Sequence, residues 1–167
     1  DYYCAISGIE QAMWDITGKI AGQPVHALLG GQMRDRVRVY ANGWSGGAGS
    51  PEELGEKAWA IVERGFSALK FDPVPGPWRT FVDKAVERRA VENVEAVRKA
   101  VGPDVDILIE MHRRLAPMHA TRIAHAIADT KPYWFEEPVL AINIDALAEV
   151  RRDLRATGMP VVTGEAL

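Results

Sequence analysis

Apolar residues in this chain recur first at helical spacing and then in short blocks. Ile9, Met13, Ile16 and Ile20 fall three and four positions apart, which predicts an amphipathic helix over 5–21 ended by Gly22. A short apolar turn over 24–29 follows and stops at Gly30 and Gly31. Beyond it, apolar runs at 37–41, 66–71, 106–110, 133–136 and 160–165 read as buried strands. Helical segments separate them. One carries Leu54, Ala58, Ile61 and Val62 behind Pro51, and a longer one carries Val86, Ala90, Val94, Val97 and Val101 ahead of Gly102. Two more cover 117–130 and 143–157. Strands alternating with helices through short connections predict an α/β fold with a parallel sheet.

Glu110, Glu136 and Glu165 each close one of the last three strand runs, 26 and 29 residues apart. A right-handed strand-helix-strand unit takes roughly 30 residues, so the three acids come at unit spacing. Parallel strands point the same way, and their C-terminal ends meet at one mouth. Three carboxylates gathered there would repel one another unless a cation sat between them. A hard divalent ion with oxygen ligands answers that need, and magnesium fits a site of carboxylates and waters.

Two architectures compete, a doubly wound open sheet and a barrel. The Gly-rich loop 42–50 lacks the G-x-G-x-x-G spacing that would favour the open sheet. Reactive side chains at three consecutive strand ends favour a (β/α) TIM-type barrel, truncated to its strands one to five.

Side chains alternate along a strand, so Lys70 and Asp72 share a face, as do Glu110 and His112. A neutral imidazole at such a mouth is suited to moving a proton. Glu136 and Glu137 are adjacent and point to opposite sides; parity assigns Glu136 inward and leaves Glu137 to a helix residue or a nearby cation. Gly164 is read as permitting close backbone approach beside Glu165. His119 and His125, with Arg122 between them, read as a solvated helix face, and nothing assigns His26 a role. Trp14 and Trp59 read as packing, whereas Trp44 and Trp78 lie in loops on the side where a barrel binds ligands. Arg79, next to Trp78, is a candidate for a substrate carboxylate or hydroxyls.

Charge changes the picture only by exclusion. The 20 Lys and Arg against 23 Asp and Glu leave a net charge of −3, with no basic footprint for nucleic acid or an anionic membrane. No apolar run reaches the roughly 20 residues of a membrane span. The single Cys4 forms no internal disulfide and suits a reducing compartment, so a cytoplasmic location is expected.

Several segments together resemble one family. Residues 7–31 are similar to the end of the capping domain in the enolase superfamily, mandelate racemase subgroup. Ala68-Leu-Lys-Phe-Asp-Pro73, Glu110-Met-His112, Trp134-Phe-Glu-Glu-Pro138 and Thr163-Gly-Glu165 resemble strand ends of that subgroup's acid-sugar dehydratases of the galactonate type. The resemblance implies that 1–36 is the C-terminal part of an α+β capping domain with its linker, and that 37–167 is the first five strands of the barrel. It implies Mg²⁺ on Glu110, Glu136 and Glu165, and His112 as the acid for a departing hydroxyl. Lys70 would lie near the carboxylate of a small-molecule sugar acid; Asp72, Trp78 and Arg79, read from their positions, are the further substrate-binding candidates. The reaction implied is removal of the α-proton through an ene-diolate, then loss of the β-hydroxyl to give a 2-keto-3-deoxy acid. Assembly of identical subunits is expected at full length. Two departures stand out: Glu110 replaces the usual Asp, and Asp72 replaces the second Lys of the racemases' Lys-x-Lys. A racemase or epimerase, which would conserve substrate mass, and a non-catalytic paralogue are the alternatives.

Both ends read as cuts, and the histidine-aspartate base expected on later strands would lie beyond Leu167. Part of a barrel leaves strand edges unpaired and apolar interior exposed. The 167-residue chain expressed alone is therefore expected to aggregate or stay molten and to turn over no sugar acid. A cooperative unfolding transition from a soluble monomer would contradict this.

Overall fold

The computed structural model describes residues 2–77 and 79–165. Its contacts divide the chain into two units, Asp1–Arg38 and Val39–Leu167. In the first unit, helix α1 (Tyr2–Ala21) is followed by the single-turn α2 (Val25–Leu28). The chain doubles back between them because Gln23 N donates to Gly18 O at 2.9 Å. A Cβ on Gly18 would lie 2.6 Å from the Gln23 carbonyl oxygen, so only glycine fits there. Ile9, Met13, Ile16 and Ile20 are exposed.

The second unit runs α3 (Pro51–Glu63), β1 (Ala68–Phe71), α4 (Lys84–Val101), β2 (Asp106–Glu110), α5 (Pro117–Ile127), β3 (Trp134–Glu136), α6 (Ile144–Asp153) and β4 (Val161–Val162). The four strands are parallel and lie in the order β1-β2-β3-β4. Helix starts follow side-chain caps: Ser50 accepts from Glu53 N, Asp83 from Val86 N and Asn143 from Ala146 N. Among the described residues no helix is long and apolar enough to cross a membrane.

The two faces of the sheet have different fates. Leu69, Phe71, Ile107, Ile109 and Phe135 join Ala58, Val94, Val97, Ile123, Ile127, Val150 and Leu154 in one buried core beneath the helices. The alternate positions, Ala68, Lys70, Leu108, Glu110, Trp134 and Glu136, occupy the other face. Arg98 of α4 locks the opposite end of the sheet to the helices. Its guanidinium donates to the carbonyls of Thr130, Gly102 and Val105 at 2.7–2.8 Å.

Some expectations are corrected. The run 37–41 is no strand; only Ala41 pairs, bridging Leu69 through Ala41 N to Ala68 O and Lys70 N to Ala41 O. Val37 and Val39 are exposed, and no ladder on either side holds them extended. The run 160–165 keeps only Val161–Val162 as strand before it turns. The described sheet is therefore four-stranded and open. His119 is buried rather than solvated, with Nδ1 2.5 Å from Glu87 on α4 and its ring edge-on to Phe81. Trp14 on α1 and Trp59 on α3 are exposed; α3 buries Leu54, Gly55 and Ala58 in place of Trp59.

Ile109 lies at the centre of β2 with no exposed surface. Ile109→Ala in a folded protein carrying this sequence is expected to cost about 2–5 kcal/mol by urea unfolding. Ile142→Ala, at an exposed position, is expected to change stability by less than about 0.5 kcal/mol.

Candidate active site

Register sets the site. Glu110 pairs with Glu136 across β2 and β3, while Lys70 pairs with Leu108 one layer below. The Lys70 side chain rises from that lower layer and places Nζ 3.0 Å from Glu110 Oε2 and 2.7 Å from Glu136 Oε1. Tyr40 and Trp134 wall the ammonium: Nζ lies 5.5 Å from the Tyr40 ring centre, and the two rings meet edge-on. The Trp134 indole N–H donates to Glu136 Oε2 at 2.9 Å.

Burial and charge pull these three groups apart in acidity. Desolvation would lower the Lys70 ammonium, but Glu136 and Glu110 outweigh it and hold the pKa above its ordinary value. Desolvation raises the Glu110 carboxyl, and the neighbouring Glu136 adds to the rise. Desolvation also acts on Glu136, yet Lys70, Glu110 and the Trp134 indole hold it below the usual carboxylate range.

Beside this trio the chain turns sharply out of β2. His112 and Arg113 both have left-handed backbones, with φ of 51° and 62°. Two such non-glycine residues in succession are costly. The turn is held by His112 N donating to Glu110 Oε1 at 2.8 Å and by Arg113 N donating to Glu137 O at 2.8 Å. His112 Nδ1 lies 2.8 Å from Asp72 Oδ2. Asp72 in turn accepts from Val74 N and pairs with the buried Arg114 guanidinium. The imidazole is thus steered by a carboxylate that a buried cation anchors.

The remaining sequence candidates are spread. Glu165 is exposed and pairs with Arg113 at 2.6 Å, away from the Lys70 cluster. Among the described residues, no three acidic, histidine or cysteine side chains are grouped so that they could hold a metal ion. Among the described residues, the Glu137 carboxylate pairs with neither a helix residue nor a cation. Its Oε1 accepts from Thr163 Oγ1 and from the N–H groups of Gly164 and Glu165. Gly164 has φ of 136° and a Cβ there would meet nothing within 4 Å, so its glycine serves backbone conformation, not close approach. Arg79 is exposed, Trp44 packs on Phe71, and Trp78 lies outside the described residues.

The profile of the Enolase C-terminal domain-like family matches residues 53–167. That of the mandelate racemase / muconate lactonizing enzyme N-terminal domain matches residues 2–30. The chain belongs to the mandelate racemase branch of the enolase superfamily. It is 45% identical over 163 residues to a D-gluconate dehydratase from Thermoproteus tenax, covering 98% of this chain and 32% of that protein. It is 33% identical to a D-gluconate/D-galactonate dehydratase from Picrophilus torridus, covering 98% of this chain and 41% of that protein. A crystal structure of a mandelate racemase/muconate lactonizing enzyme from Jannaschia sp. CCS1 superposes with a TM-score of 0.84 at 38% identity, covering 96% of this chain and 44% of that one. The chain thus spans about a third to under half of the length of these relatives.

For this superfamily member, sequence reasoning missed Tyr40, Arg113, Arg114 and the buried role of Glu137. Arg113 and Arg114 had a usable signal, since two cations directly follow a strand-end acid and a histidine. Tyr40 had none, because its run reads as a strand.

Lys70→Met would leave Glu110 and Glu136 buried side by side without a cation, at a cost of about 3–5 kcal/mol near neutral pH. Both carboxyls would then be raised in the fold above their unfolded values, so stability would fall as pH rises through the carboxylate range. The deficit of the variant is therefore expected to shrink on acidification, measured as unfolding midpoints between pH 7 and pH 4.

Proposed function

We propose that a protein carrying this chain dehydrates a sugar acid of the gluconate or galactonate class. The α-proton leaves, the β-hydroxyl departs with a second proton as water, and the enol collapses to a 2-keto-3-deoxy acid. The observation that carries this reading is the junction of His112 with Glu110. One short turn couples a proton-bearing imidazole to a carboxylate pair, and Asp72 fixes the imidazole's direction through Nδ1. The names of the relatives support the substrate class.

Glu110, Glu136 and Glu165 are the residues we assign to Mg²⁺. The donor chemistry suits the ion: Glu110 and Glu136 present hard carboxylate oxygens at the ends of adjacent parallel strands, share one lysine and retain net negative charge when both are ionised, and Glu165 follows in the turn beyond β4. Glu165 is exposed, and joining the other two requires it to exchange Arg113 for the ion. Bound there, the ion would supply positive charge for the substrate carboxylate as the α-proton leaves.

Lys70 adds a fixed ammonium beside the same carboxylate. His112 delivers a proton to the departing hydroxyl, and Asp72 keeps its ring in the orientation that allows this. Because Asp72 is engaged by His112 and Arg114, orienting the imidazole is its assigned part; Arg79 remains a candidate for the distal hydroxyls. The base for the α-proton is assigned to none of these residues. The absence of an amine at position 72 favours dehydration over a two-base racemisation.

His112→Asn is expected to abolish dehydration of gluconate or galactonate while the α-proton still exchanges with deuterated water. Product formation by mass loss and exchange by NMR separate the two steps. Unchanged dehydration would remove His112 from the mechanism, and joint loss of both activities would point to a structural role.

A further inference from the structure

Glu137 is unexplained by the reaction. It is a carboxylate with 1% of its surface exposed, and it adopts a left-handed backbone with φ of 46°. Burying such a group is costly unless its oxygens are well supplied with donors. Oε1 has three, Thr163 Oγ1 at 2.9 Å, Gly164 N at 2.8 Å and Glu165 N at 3.2 Å, whereas Oε2 is buried with no hydrogen-bond partner among the described residues, so the side chain is held through Oε1 alone. All three belong to the turn that leaves β4, and the last is the backbone of Glu165 itself.

The main chain of Glu137 completes the link. Its N–H donates to Val162 O at 2.9 Å, and its carbonyl accepts from Arg113 N at 2.8 Å. One residue therefore ties the turn after β2, which carries His112 and Arg113, to the turn after β4, which carries Glu165. A purely structural staple would need only the main-chain bonds. The side chain adds a clamp through one acceptor oxygen on the two N–H groups that set where the Glu165 carboxylate begins.

We infer that Glu137 is a positioning residue for Glu165, holding the 163–165 turn so that this carboxylate can reach the cation shared with Glu110 and Glu136. The inference rests on the metal assignment above. Its handle is geometric: the acceptor must sit at the end of a Glu-length side chain, while its charge is secondary.

The test uses a protein of the relatives' full length carrying this sequence, titrated with Mn²⁺ without substrate and followed by electron paramagnetic resonance. Unfolding midpoints are measured in parallel. Glu137→Asp, one methylene too short to reach the turn, is expected to weaken Mn²⁺ binding by about 10- to 100-fold, the usual effect of losing a support behind a metal ligand. Glu137→Gln keeps a carbonyl oxygen in place and is expected to bind close to wild type. Wild-type affinity in a folded Glu137→Asp protein would overturn the inference and leave the metal assignment standing. Loss of affinity by Glu137→Gln at an unchanged midpoint would also overturn it, since charge and not reach would then matter. A wild-type protein that binds no Mn²⁺ would overturn the metal assignment, and the inference with it. If Glu137→Asp fails to fold, the Gln variant with Thr163→Val, which removes one donor from the same clamp, decides: unchanged affinity in Thr163→Val overturns the inference.

Discussion

Two carboxylates forced together by strand register are the constraint around which this structure is arranged. Glu110 and Glu136 are direct neighbours across a parallel ladder, largely withdrawn from water, and they would repel without a counter-charge. Lys70 supplies it from one layer deeper, and the Tyr40 and Trp134 rings close off the solvent around it. The arrangement is costly as stability and useful as chemistry. Desolvation displaces the Glu110 carboxyl upward while Lys70 helps to hold Glu136 below the usual range, and opposite displacements of neighbouring carboxyls are typical of sites that handle protons or ions.

Around this trio, the loops at the strand ends are held by side chains reaching for backbone. Glu110 catches His112 N, Asp72 catches Val74 N, and Glu137 catches the N–H groups of Gly164 and Glu165. Each acid thereby has two tasks, one toward the mouth or its neighbours and one toward its own chain. The left-handed residues His112, Arg113 and Glu137 persist because these bonds over-determine their conformation. The helices and the buried core beneath them act as the rigid base against which that strain is kept.

The site also separates cations by burial. Lys70 and Arg114 are buried and paired with carboxylates, Arg114 also donating to Val74 O, whereas Arg113 reaches an exposed Glu165. Exposed pairs of that kind are worth little and exchange partners readily. The exposed part of the charge network is thus at the β4 end, and the buried part lies between β1 and β3.

Sequence alone determined the alternation of strands and helices, the parallel sheet, and the acids and histidine at the strand ends. Those features follow from local periodicity and from spacing by one strand-helix unit, and both are written in the chain. It also put Glu136 on the same face as Trp134, because a strand's pleat has period two. Tertiary structure decided the rest. Whether 37–41 becomes a strand depends on a neighbour for its hydrogen bonds, and only Ala41 finds one. His119 is buried because α4 brings Glu87 to it, a contact across 32 residues that helical periodicity does not encode. The parity rule lapses where β2 ends, so the meeting of His112 with Asp72 and of Arg113 with Glu165 depended on backbone turns. Hydrogen-bond partners distant in sequence, rather than side-chain pattern, fix those turns.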